Sequence, residues 1–130
     1  MRSLLCVFLL ILLLPSCRTK VEEGPFVRPV QLNASPEAFD GEIVMVYGYM
    51  TSAFEDRTIW QSKQTRSRGN SRENCVSLLI PKSMDTSKFN GAYVTLRARF
   101  VARLSPDVVN LGGCNVTSLE LLDPPVIVGK

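Results

Sequence analysis

The stretch Ala92 to Leu104 constrains this chain most. Val94, Leu96, Ala98, Phe100, Ala102 and Leu104 alternate with Thr95, Arg97, Arg99 and Arg103. A two-residue period places the apolar set on one face of an extended chain and the cations on the other. Such a strand belongs in an antiparallel sheet with one dry face and one wet face. The rest of the chain must supply its neighbours. Glu42 to Met50 is rich in β-branched and aromatic residues and reads as a strand, with Gly48 marking a bulge or sharp bend. Thr58 to Ser62 reads as a second strand, after a turn at Glu55-Asp56-Arg57. Cys75 to Ile80 is a third, closed by Pro81, and Val116 to Leu122 a fifth, closed by Asp123-Pro124-Pro125. Two short helical segments are expected. One runs from Ser35 to Phe39, with Ser35 as N-cap and Pro36 in the first helical position. The other lies within Pro81 to Asn90.

A weak internal repeat runs through these elements. Phe39-Asp40-Gly41 followed by Val44, Val46 and Gly48 aligns with Phe89-Asn90-Gly91 followed by Val94, Leu96 and Ala98, at a constant offset of 50 residues. Five strands with a short helix between the third and fourth is the element order of the OB-fold, a small Greek-key barrel. Pro36 to Leu122 resembles the OB-fold-like domains of small exported bacterial proteins in its Phe-Asp-Gly turn, its Val-x-Val-x-Gly strand and its Phe54-Glu55-Asp56 turn. The resemblance implies architecture and names no catalytic residue. The expected class is mainly β, a five-stranded OB-like barrel with one or two short helices. A small β-sandwich is the alternative.

Leu4 to Leu14 is an unbroken apolar run of 11 residues behind Arg2. A membrane-spanning helix needs about 20. The shorter run fits the core of an export signal. It ends in Leu14-Pro15-Ser16-Cys17, which resembles the lipobox of bacterial lipoproteins. The resemblance implies a diacylglycerol on Cys17 as the mature N-terminus. An ordinary signal cleaved near Ser16 is the alternative. In that family an aspartate after the cysteine tends to retain the protein at the inner membrane. Arg18 stands there, implying the outer membrane, with the domain facing the periplasm. Residues 1–16 are thus the expected leader and 17–34 a lipid-anchored tether, since Thr19 to Gln31 shows no apolar period. Residues 35–123 are the expected barrel and 124–130 a tail.

Of four cysteines, Cys6 leaves with the leader and Cys17 carries lipid. Cys75 and Cys114 remain, an even number in an oxidising compartment. Each precedes or opens an expected strand, the third and the fifth. In an OB barrel those strands run parallel, so a disulfide between the two cysteines is expected. Redox activity is disfavoured, because the pair lacks the Cys-x-x-Cys spacing that lowers a thiol pKa.

The composition, 45% hydrophobic and 21% charged, suits a folded domain, and a net charge of +3 is too small to point to nucleic acid by itself. There is no histidine, hence neither the usual proton shuttle nor the usual zinc ligand. No nucleophile elbow, phosphate loop or dinucleotide motif occurs, and no cofactor or metal is expected. Glu55 and Asp56 fit a solvated turn better than an acid–base pair. Asn33-Ala34-Ser35 and Asn115-Val116-Thr117 match the glycosylation sequon without meaning for a bacterial protein. One segment stands out for binding. Arg57, Lys63, Arg66, Arg68 and Arg72 are followed by no acid until Glu73, and Trp60, the single tryptophan, lies among them. In OB domains the connection between the second and third strands borders the ligand face. Five cations there would meet an anionic surface or another envelope protein. The plainer reading is a solvated loop with Trp60 in the core. Arg97, Arg99 and Arg103 would enlarge the patch. Val108 and Val109 put an apolar tip on the loop before Gly112-Gly113, another contact candidate. The expected role is a lipid-anchored binding or assembly module of the envelope, without catalysis. The alternative is an OB domain for single-stranded nucleic acid or oligosaccharide. That reading needs stacking aromatics, and only Trp60, Tyr47 and Tyr49 offer themselves. For nucleic acid, the compartment argues against it.

Overall fold

In the computed structural model, which describes residues 19–68, 73–107, 114 and 117–129, the alternating stretch forms one strand, Ala92–Val101, shared among three partner strands. Chain order is β1 (Phe26–Val27), α1 (Pro29–Ala34), α2 (Pro36–Phe39), β2 (Ile43–Ala53), β3 (Asp56–Trp60), α3 (Lys63–Ser67), β4 (Cys75–Leu79), a 3-10 turn (Ser87–Phe89), β5 (Ala92–Val101), β6 (Ser118–Leu121) and β7 (Val126–Gly129). The sheet runs β1-β2-β3-β4-β6-β5-β7, and β2 also pairs with β5. That pairing closes β2, β3, β4, β6 and β5 into a mixed five-stranded barrel, leaving β1 and β7 as additions. The β4–β6 pair is parallel, Ser77 opposite Ser118, as an OB-like barrel requires.

The barrel interior follows from strand parity. Val44, Val46 and Met50 of β2 face Val94, Leu96, Ala98 and Phe100 of β5, with Ile59, Val76, Leu78, Leu119 and Leu121 completing the core. Most of these side chains have no exposure at all. Each large one contributes about 1.5–3 kcal/mol on burial. Gly48 opens no bulge; the β2–β5 register is continuous from Ile43↔Arg99 to Met50↔Ala92. The glycine is needed where β2 takes on β3 as a second partner. A Cβ there would overlap the Trp60 carbonyl oxygen and come 2.8 Å from Ile59 Cγ1.

The fifty-residue repeat is a local half-turn symmetry of the β2–β5 pair. Asp40 (φ −57°, ψ 125°) and Asn90 (φ −62°, ψ 125°) share one backbone conformation, and both following glycines, Gly41 and Gly91, have φ 76°. These are the angles of a type II turn, whose third residue needs positive φ. The contacts match as well. Gly41 N–H donates to Phe100 O and Gly91 N–H to Met50 O, both at 2.8 Å. Ala102 N–H donates to Asp40 Oδ1 and Ser52 N–H to Asn90 Oδ1, both at 2.9 Å. Each Phe-Asx-Gly turn therefore caps the far end of the strand that the other turn feeds.

Several boundaries differ from expectation. Residues 22–34 are not a free tether. Pro25 O accepts from Met45 N at 2.9 Å, Val27 is buried beside Val46, and Leu32 of α1 is wholly buried. One buried leucine in a six-residue helix leaves no period to read. Residues 124–130 are not a bare tail, since β7 pairs with Tyr93–Thr95 of β5. The first hairpin turns at Phe54 and Glu55, because Asp56 already pairs with Ala53. β5 stops at Val101, where Asp40 takes the next N–H, so Ala102 to Leu104 lie outside the strand. β6 begins at Ser118, with Thr117 before it outside the strand; Val116 lies outside the described residues. Ser35 precedes α2 with Pro36 in its first turn, but its side chain makes no cap bond.

Candidate functional site

The basic segment after β3 is locally ordered by its own sequence. Ser62 Oγ accepts from Thr65 N–H at 3.2 Å, and Thr65 Oγ1 accepts from Ser62 N–H at 3.0 Å. This reciprocal cap starts α3 where a plain loop was expected. The helix is docked on the barrel by Lys63 N–H, which donates to the Tyr93 hydroxyl at 3.0 Å. Lys63 and Arg68 are exposed. Arg66 meets Asp56 at 3.4 Å, both partly solvated, a contact worth at most about 1 kcal/mol.

Trp60 is neither in the core nor free to stack. It is half-buried, and its Nε1–H donates to Thr51 Oγ1 at 3.0 Å. Thr51 in turn donates to Asp56 Oδ1 at 2.9 Å. The line Trp60–Thr51–Asp56–Arg66 ties the outer barrel face to α3. Arg57 follows Asp56 in β3 and so projects from the opposite face of the strand. Among the described residues, Lys63, Arg66 and Arg68 of the expected cluster share α3 and its C-cap. Arg72, Val108, Val109 and Cys17 lie outside the described residues. Arg97, Arg99 and Arg103 do not extend the cluster. Arg97 Nε donates to Glu22 O and its Nη1 to Asp123 at 2.9 Å, Arg99 donates to Gly41 O at 3.0 Å, and Arg103 meets Glu37 at 3.3 Å. Each is matched where it stands.

The outer face of β2, β3, β4 and β6 carries a feature the sequence did not announce. Thr51 lies opposite Thr58, Thr58 opposite Ser77, and Ser77 opposite Ser118. These four hydroxyl residues form one register row across four strands, and all are buried. The Cys75–Cys114 disulfide, with Cα atoms 5.7 Å apart, lies over this row. Ser77 Oγ donates to Cys114 O at 3.3 Å, and the Cys114 sulfur sits 4.0 Å from the Thr58 hydroxyl. Among the described residues, Ser118 Oγ has no partner. Asn33 of α1 reinforces the clasp. Its Nδ2 donates to Cys75 O at 2.8 Å and Glu73 O at 3.0 Å, and its Oδ1 accepts from Thr117 at 2.9 Å. That amide is committed to the fold, so its sequon is a coincidence of spacing.

The outer face of β1, β2, β5 and β7 is different in kind. In register, Phe26 lies beside Met45, which lies beside Arg97; Tyr47 lies beside Thr95, which lies beside Val126. Tyr47 and Tyr93 stack with centroids 5.8 Å apart, and the Arg28 guanidinium sits 4.6 Å over the Tyr47 ring. Tyr93 also meets Tyr49 edge-on at 5.4 Å. Tyr93 was missed because the alternation in β5 had been read through its cations. It shares their face, and parity alone would have placed it there. Arg28 was missed because its segment read as tether.

Among the described residues, no group of three or more carboxylates and cysteines could hold a metal ion. Comparisons with protein-family models, with curated proteins and with solved structures each find no match to this chain. The fold and site define a class only: a small OB-like barrel with a disulfide over the hydroxyl row of its outer face.

Proposed function

We propose that this chain is an exported, lipid-anchored binding or assembly module of the bacterial envelope, working by contact and not by chemistry. The observation that carries the reading is the Cys75–Cys114 bridge in a chain that starts with a short apolar leader. A buried disulfide belongs to oxidising compartments, and the leader supplies a route to one. Cys17 then carries the lipid. Exposed Lys63 and Arg68, with Arg66, present α3 to an anionic partner, an acidic protein surface or an anionic headgroup or glycan layer. The alternative, a grip on single-stranded nucleic acid or oligosaccharide across the outer face of β3 and β4, has less support. That face is a buried hydroxyl row under a disulfide, and its tryptophan is already hydrogen-bonded.

Metabolic labelling with a fatty-acid probe tests the anchor. Label is expected on the wild type and lost in Cys17→Ser; label retained in that variant refutes it. Affinity capture from native membranes tests the surface. Replacing Lys63, Arg66 and Arg68 together by Ser is expected to remove a partner, and an identical partner set refutes the α3 contact.

A further inference from the structure

We infer that the outer face of β1, β2, β5 and β7 rests on the lipid surface that holds the anchor, with Phe26 and Val126 inserted at the interface; this rests on the lipid-anchor reading above. Two independent observations lead here. The first is where the described chain begins to be fixed. Arg97 Nε donates to the carbonyl of Glu22 at 2.8 Å, and Met45 N–H donates to that of Pro25. Glu22 is only five residues beyond Cys17. Five residues reach at most about 17 Å when fully extended. A lipid at Cys17 therefore holds the Phe26–Met45–Arg97 row within one short span of the acyl layer.

The second observation is where the exposed apolar side chains lie. Among the described residues, Val21, Phe26, Val126, Ile127 and Val128 are exposed large hydrophobics, Phe26 at 70% and Val126 at 62%. Phe26 and Val126 share the outer face in register at its two flanks, Phe26 beside Met45 and Val126 beside Thr95, whereas Ile127 pairs with Val94 and takes the other side of β7; Val21 and Val128 belong to the same arm and strand. Phe54 and Val30 lie elsewhere, Phe54 at the far hairpin tip. Between the flanks Tyr47 and Tyr93 are half-buried, the Tyr93 hydroxyl taken by Lys63 N–H and the Tyr47 ring covered by the Arg28 guanidinium, so the flanks and not the rings meet the lipid. β1 and β7 are separated by β2 and β5, so the flanks stand about 14 Å apart at 4.8 Å per strand. That is a footprint, not a point contact. Arg97 is matched by Asp123, and Lys20 has Glu22 and Glu23 as chain neighbours. The other cations of this face are engaged within the fold, Arg28 over the Tyr47 ring and on Gln61 O, Arg99 on Gly41 O. Apolar insertion is the source of affinity, added to that of the acyl chains.

The test uses the lipidated full-length product reconstituted in phosphatidylethanolamine–phosphatidylglycerol vesicles, with and without lipids brominated high on the acyl chain. Phe26→Trp and Val126→Trp place a reporter on the face; Phe54→Trp places one about 25 Å further along β2. All three sites are exposed, so the core is untouched. After subtraction of the common Trp60 signal, Phe26→Trp and Val126→Trp are expected to shift to the blue and lose fluorescence to bromolipid. Phe54→Trp is expected to do neither, and the difference should persist in high salt. Equal quenching at all three sites, in protein that floats with the vesicles, overturns the docking and leaves the anchor standing. Protein that does not float removes the anchor and the docking with it. Dimers in detergent that Phe26→Ser converts to monomers would assign the face to a second copy and also overturn the inference.

Discussion

The half-turn relation between the two Phe-Asx-Gly turns makes a quantitative demand. Gly41 and Gly91 both have φ 76°. A Cβ at Gly41 would meet nothing within 4 Å, and one at Gly91 would meet only the Tyr49 hydroxyl at 3.5 Å, an ordinary contact. Alanine at either position therefore pays for left-handed backbone and for nothing else, about 1–2 kcal/mol. The two turns cap opposite ends of the β2–β5 pair, about 30 Å apart, so the costs should add to about 2–4 kcal/mol in the double variant. Urea unfolding followed by Trp60, the sole tryptophan, reads this directly. Each single variant should lower the midpoint by the same amount, with an unchanged slope and a thermal shift of roughly 5–10 °C. Gly48→Ala is the contrast. Its φ is not positive, yet its Cβ would overlap the Trp60 carbonyl, so its cost is steric and should loosen the β2–β3 hairpin. Costs at Gly41 and Gly91 that differ by more than about 1 kcal/mol would refute the equivalence of the turns.

Three further outcomes follow from other parts of the barrel. Replacing Cys75 and Cys114 together by Ser opens a crosslink spanning 39 positions and should cost about 4 kcal/mol in the chain-entropy model, read as a urea midpoint shift; a loss under about 1 kcal/mol would show that the clasp contributes little. Ser118→Ala removes a buried hydroxyl with no partner among the described residues, so it should be neutral or stabilising by up to about 1 kcal/mol, whereas Ser77→Ala, which frees Cys114 O, should destabilise; the reverse order would refute the hydrogen-bond assignment. Asp85 titrates below the ordinary aspartate range, because the Ser87 backbone N–H and then the Ser87 hydroxyl favour its anion. The stability it lends is present above the unfolded value and lost as pH falls through the folded one. Carbon-detected NMR titration should place its midpoint below that of an unstructured aspartate, and a midpoint at or above it would refute the turn.

What was legible in the sequence was whatever repeats within a few residues. The parity of β5 gave its buried face side chain by side chain. Cys75 and Cys114 were legible as a pair because the parallel β4–β6 arrangement of an OB-like barrel brings their segments together. Illegible were contacts made by isolated residues across long distances. α1 is held by Leu32, β1 is two residues long, and β7 follows two prolines that read as an ending although Val126-Ile127-Val128 has strand composition. α3 carried a signal, Ser62 followed three residues later by Thr65, obscured by the cations around it. The candidate site suffered from counting charge along the chain. Strand parity sends Arg57 away from its neighbours, and Asp56, on the strand paired with that of Thr51 and ten positions before Arg66, links the two. The hydroxyl row was unreadable for the same reason, since each of the four strands supplies only one of its members.

The β2–β5 register has a consequence for the order of events as the chain folds. It joins residues 42 to 56 positions apart, and the β4–β6 pair that completes the barrel joins residues 41 apart. Topologies of this kind reach the native state in milliseconds to seconds, not microseconds. Until Ala92 to Val101 emerges, the β2–β3 hairpin has no lid for its apolar side. A truncated nascent chain ending before that strand should therefore remain sticky and protease-sensitive, and become fully resistant only once Ser118 to Leu121 has also joined β4 to β5.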